Sequence, residues 1–92
     1  MKVDFNRLKD IYGNSILINY KDNLDEVVEN IKYLERLEFN NIYEIIEYNP
    51  YIFTKSNDIF KDKINNLINN LGVEYIEKLN EDISLWDKLN EE

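Results

Sequence analysis

The chain has 92 residues, with 11 Lys and Arg against 19 Asp and Glu, and a net charge of −8. That length bounds a single domain, and 43% hydrophobic with 13% aromatic residues argue against disorder. The lack of Cys and His removes disulfides, thiolate and imidazole metal sites and the usual general base. The average field repels free nucleic acid and anionic membrane.

Two Gly and one Pro leave few turns, which favours helices over a sheet. Phe5, Leu8, Ile11 and Tyr12 recur at helical spacing, with Asp4 placed to cap the start and Gly13 to stop it. "NSILINYKDN" has no helical period and reads as a link carrying Ile16, Leu17 and Ile18. Leu24, Val27, Val28, Ile31 and Leu34 form one stripe, which predicts a helix over about residues 24–38. Asn23 is its expected N-cap, and Asp25 and Glu26 suit the positive end of the helix dipole. Glu29, Lys32 and Arg36 continue its solvent face.

"NNIYEIIEYNP" predicts a short helix with Ile42, Ile45 and Ile46 inside and Asn40 or Asn41 as cap. It ends near Tyr48–Asn49, because the residue before Pro50 is biased out of the helical region. "YIF" carries apolar side chains across a link. Ser56 caps the next helix, where Phe60, Ile64, Leu67, Ile68 and Leu71 give the cleanest period in the chain. Gly72 suits its C-terminal cap. Val73, Ile76 and Leu79 mark another short helix. "SLWDKLNEE" supplies a last one, with Ser84 and Asp87 as a capping box and Leu85, Trp86 and Leu89 buried.

These elements repeat. Ile31 aligns with Ile64, Leu34 with Leu67, Leu37 with Leu71, Phe39 with Val73, Ile42 with Ile76 and Ile45 with Leu79. The period is about 33–35 residues, in the range of helical arrays, whose units cover their apolar faces only by stacking. The expected fold is all-α: a short helical-repeat array or small bundle of about five to six helices. It forms a single domain over residues 1–92, with repeat-like units at about 14–40 and 41–73 and a partial one at about 74–92.

At "IIEYNPYIF" and "IFKDKINNLINNLGV" the chain resembles the repeats of the mitochondrial transcription termination factor (mTERF) family. The shared features are a helix, Asn-Pro, an apolar triplet and a long helix ending in Leu-Gly-apolar. One repeat, about residues 41–73, carries the match, and its flanking copies are degenerate and lack the Pro. The resemblance implies stacked helical units and nucleic-acid binding through a basic concave face. The chain departs from that pattern: its long helices have no Lys/Arg stripe, and Arg7 and Arg36 are its two arginines.

Ser15, Thr54, Ser56 and Ser84 have no His to activate them. "DNLDEVVE", Asp22 to Glu29, aligns carboxylates on a helix face but lacks the alternating ligands and central Gly of a calcium loop. Gly13 and Gly72 lie too far apart for a phosphate loop. No catalytic residue, metal or cofactor is expected. The candidate partner-binding residues are Asp25, Glu26 and Glu29 with Tyr33, Tyr43, Tyr48 and Tyr51, Tyr being enriched at protein interfaces. The same tyrosines equally suit helix junctions, and the acidity also serves solubility.

The expectation is therefore a non-enzymatic, acidic helical protein-binding module with a basic protein partner, such as a nucleic-acid-binding protein. Small size, charge and the missing catalytic groups match phage or mobile-element inhibitors of the anti-CRISPR-like kind, which occupy nucleic-acid-binding surfaces. The Ile-, Asn-, Lys- and Tyr-rich palette fits a low-GC bacterium or its phages. Two alternatives stand beside it: an mTERF-like repeat protein or fragment associated with nucleic acid, and a structural or oligomerisation domain. The missing Cys and the lack of an apolar h-region in "MKVDFNRLKD" lead to an expected cytoplasmic location without a membrane span. Direct nucleic-acid binding is not expected.

Overall fold

The computed structural model describes residues 4–90. Asp4 accepts a hydrogen bond from the Arg7 N–H at 3.0 Å and starts α1, Phe5–Tyr12. Gly13, at φ +84°, ends it. The next helix, α2, Asn14–Asp22, begins at once, so the expected link over this stretch is helical. Its inner face is Ile16 and Tyr20, one turn apart and buried. Ile18 is exposed beside them, which hides the period from a pattern search.

Helix α3 spans Leu24–Arg36, two residues short of the expected end. Glu38 takes a left-handed φ of 69°. The Glu38 N–H then donates to the Glu35 carbonyl at 3.0 Å and the Phe39 N–H to the Leu34 carbonyl at 3.2 Å. This is a Schellman closure with Glu in the place usually held by Gly. Of the predicted stripe, Val27, Ile31 and Leu34 are buried, whereas Leu24 and Val28 are exposed, as are Phe5 and Ile11 on α1. Asn23 does not cap α3: its side-chain amide donates back to the Asn19 carbonyl at 2.9 Å.

Helix α4, Ile42–Tyr48, buries Ile42, Ile45 and Ile46 and has no side-chain cap from Asn41. Pro50 then opens a 3-10 helix, Pro50–Thr54, in which Ile52 and Phe53 are buried. Ser56 starts α5, Asn57–Leu71, accepting from the Ile59 N–H at 3.4 Å, and Gly72 closes it at φ +85°. Leu71 is only half-buried.

Helix α6, Tyr75–Glu81, follows. Val73 is not part of its inner face, being 98% exposed, so its alignment with buried Phe39 fails. The last element is a second 3-10 helix, Ile83–Asn90; Glu91 and Glu92 lie outside the described residues. Ser84 and Asp87 make no capping box. Asp82 Oδ1 takes the Ser84 N–H at 3.1 Å, and Asp87 is used elsewhere.

The described residues are thus all-α, and their order repeats: short helix, link helix, long helix. The sets are α1–α2–α3, then α4–Pro50–Thr54–α5, then α6 with Ile83–Asn90. Packing repeats with it. The long helix α3 lies on the Pro50–Thr54 link and on α5, and α5 lies on Ile83–Asn90. One continuous core results, with Phe53 on Phe60 and Phe39 on Trp86, each pair of rings 5.5 Å apart. Among the described residues no helix is long and apolar enough to cross a membrane.

Candidate functional site

Helix α3 sorts its side chains by the turn of ~100° per residue. Val27, Asn30, Ile31 and Leu34 face inward, while Asp25, Glu29, Lys32 and Arg36 form an exposed outer arc. Asp25 and Glu29, one turn apart, are the acidic part of that arc. Glu29 sits 3.8 Å from Lys32, a loose exposed pair of little energetic weight.

Glu26 does not share the arc. It is half-buried, and its carboxylate accepts the Asn57 N–H at 2.6 Å. Asn57 is the first residue of α5, whose leading N–H groups have no partner within the helix. Glu26 and Ser56 together cap α5, so Glu26 is a structural tie and is corrected out of the solvent face.

The tyrosines also serve as ties. Tyr33 donates to Asn65 Oδ1 at 2.7 Å, and Lys61 Nζ lies 5.6 Å from its ring centroid. Tyr48 donates to Asp87 Oδ2 at 2.9 Å, and that hydrogen bond holds its phenol above the ordinary tyrosine value. The Tyr51 hydroxyl is 3.4 Å from Ser15 Oγ, and its ring meets the edge of Tyr12. Tyr12 in turn donates to the backbone carbonyls of Glu47 and Tyr48, and Arg7 pairs with Glu47 at 2.6 Å. Tyr48 and Tyr51 therefore share one neighbourhood, whereas Tyr33 belongs to the seam between α3 and α5. Tyr43 is exposed on α4.

Two important polar groups escaped the sequence pattern. Asn30 is fully buried; its amide donates to the carbonyls of Phe53 and Lys55, both at 2.9 Å, and its Oδ1 accepts from Asn57 Nδ2 at 3.0 Å. Tyr20 donates to the Pro50 carbonyl at 2.8 Å, and burial pushes its phenol far above the usual range. Asn30 binds carbonyls at the C-terminal end of the link, which a short 3-10 helix leaves without internal partners, and Tyr20 binds the carbonyl of its first residue. An Asn on an otherwise apolar stripe was the available signal for the first, and the Ile16–Tyr20 spacing for the second.

A polar depression at the α2–α3 junction, about 430 Å³, is lined by Lys21, Asp22, Asn23, Leu24, Asp25 and Glu26. Among the described residues no three acidic side chains gather closely enough to hold a metal ion. Comparison of the chain with protein-family models, with curated proteins and with solved structures returns no match.

Proposed function

We infer that the protein is a non-enzymatic binding module that takes a basic protein partner on the outer arc of α3. The observation that carries this reading is the exposed pair Asp25 and Glu29 on a chain of net charge −8. Such a surface speeds association and makes it salt-sensitive rather than adding much affinity. A cytoplasmic nucleic-acid-binding protein, its basic surface occupied in the manner of a phage-encoded inhibitor, is the partner class this supports. Affinity capture from the source organism, followed by association kinetics, tests it. Replacing Asp25 and Glu29 with Lys should slow association and flatten its salt dependence, with the fold intact. Unchanged kinetics would sink the reading. Glu26→Lys is the wrong variant for that purpose, because it strips a cap from α5, at about 0.5–2 kcal/mol.

One observation favours a second reading. The Asn-Pro link helix sits between stacked units, as in an mTERF-like array. That reading requires submicromolar binding of DNA or RNA at physiological salt in a gel shift; the acidic-module reading requires weak binding or none.

A further inference from the structure

The chain builds the same seam inside itself that it leaves open at its first unit. In the register that aligns Ile31 with Ile64, α5 residues Asn57 and Lys61 correspond to Leu24 and Val28 of α3. On α5 those positions receive the preceding long helix: Asn57 meets Glu26 and Asn30, and Lys61 lies over the Tyr33 ring. On α3 they are apolar and uncovered, Leu24 being 50% and Val28 40% exposed. Leu24 and Phe5 line two adjoining depressions of about 240 and 360 Å³; Val28 lines the first, and the second reaches Leu17 and Tyr20 on α2. Units of a solenoid cover such apolar faces by stacking, and no described residue does so here.

A second difference points to the chemistry of the occupant. The N-terminus of α5 is capped by Ser56 and by Glu26 from the neighbouring long helix, whereas α3 has no side-chain cap. The charged residues on the walls of the groove are Lys21, Lys32 and Glu35, two cations to one carboxylate. The geometry points to an amphipathic helix of a partner protein seated on α2 and α3. Its aliphatic stripe lies on Leu24 and Val28, and a glutamate reaches the first turn of α3 as Glu26 reaches α5. The helix is not α5 of a second copy: in this register α2 of the receiving chain would fall where the second copy's own Ile83–Asn90 already covers that α5. The groove goes beyond the acidic arc: it shares Lys32 with that arc and uses neither Asp25 nor Glu29.

The probe is a helix-stapled synthetic peptide with the sequence of residues 23–37 carrying Asn30→Leu, which imitates the long helix of a preceding unit with a drier stripe. Titrated into the full chain, it should shift the NMR signals of Leu24, Val28 and Ile31. Val28→Glu in the protein should weaken it at least about tenfold, and Glu26→Ala in the peptide should weaken it severalfold. Loss of peptide binding by Val28→Glu with retained capture of the basic partner separates this groove from the acidic arc. The inference is overturned by an absence of shifts at millimolar peptide or by equal binding to folded Val28→Glu protein. It is also overturned by a native dimer that Val28→Glu dissociates, which would make a second copy the occupant. If Val28→Glu fails to fold, the shift map of the unaltered protein decides.

Discussion

Asn30 shows how a single side chain joins two units. Three hydrogen bonds converge on it inside the core, two of them to carbonyls of the link segment. A buried polar group left without its partner costs more than the hydrogen bond itself contributes. Asn30→Ala strands the Phe53 and Lys55 carbonyls and the Asn57 amide together. The expected loss is about 1–3 kcal/mol or more, read from urea unfolding followed by the fluorescence of Trp86, the single tryptophan. A change near zero would mean that water replaces the amide and that the seam is wetter than its burial indicates. Glu26 is the exposed-looking counterpart. Its sequence position resembles that of Asp25, yet one ~100° step around the helix moves it from solvent to the α5 terminus.

The ends of the helices decide how the units stack. Gly13 and Gly72 both lie at positive φ with extended ψ, a region essentially restricted to Gly. Nothing stands within 4 Å of a Cβ built at either position, so strain rather than crowding keeps them Gly. Glu38 does a related task with a side chain attached. A left-handed residue other than Gly is strained by about 1–2 kcal/mol, part of which Gly returns as extra freedom in the unfolded chain. Glu38→Gly should therefore stabilise the fold by roughly 0.5–1 kcal/mol, seen as a raised melting temperature. A lowered one would show that the Glu38 side chain contributes more than its backbone costs. Pro50 acts differently: it ends α4 and, standing at the first position of the 3-10 helix, removes an N–H that had no partner there.

At the scale of the whole molecule, tyrosine hydroxyls bridge distant segments, and three of these phenols are raised. Burial raises Tyr20 and Tyr12, and the Asp87 hydrogen bond raises Tyr48. Below about pH 10 both folded and unfolded chains keep these protons, so their contribution to stability is complete there. Above that pH the unfolded chain releases them first and binds fewer protons, so stability falls as pH rises. Urea midpoints measured between about pH 8 and 11 should decline, and Tyr20→Phe should flatten the decline while lowering the neutral-pH midpoint by removing the buried hydrogen bond to the Pro50 carbonyl. An identical alkaline slope in Tyr20→Phe would show that Tyr20 ionises without resisting the fold.

Much of this architecture was legible in the residues: α4, α5 and the Pro50 break follow from apolar spacing, one Ser cap and the stereochemistry of Pro. The fold class follows from few turn residues and a helical period, both local properties of the chain. The period failed at α2, where Ile16 and Tyr20 are buried beside exposed Ile18, because burial there is set by a link helix thirty or so residues away. It also failed at Leu24 and Val28, apolar residues on the stripe that are exposed among the described residues. The candidate site divided in the same way. Asp25 and Glu29 stayed on the surface as the helical period requires, whereas the roles of Glu26, Tyr33 and Tyr48 depended on which atoms of other elements came within reach. Sequence by itself determined the fold class and, for α4 and α5, where the helices begin, stop and turn their apolar sides, since those are energies of neighbouring residues. Which polar groups are left to meet a partner was decided only by the tertiary structure, because hydrogen bonds between distant segments claim them first.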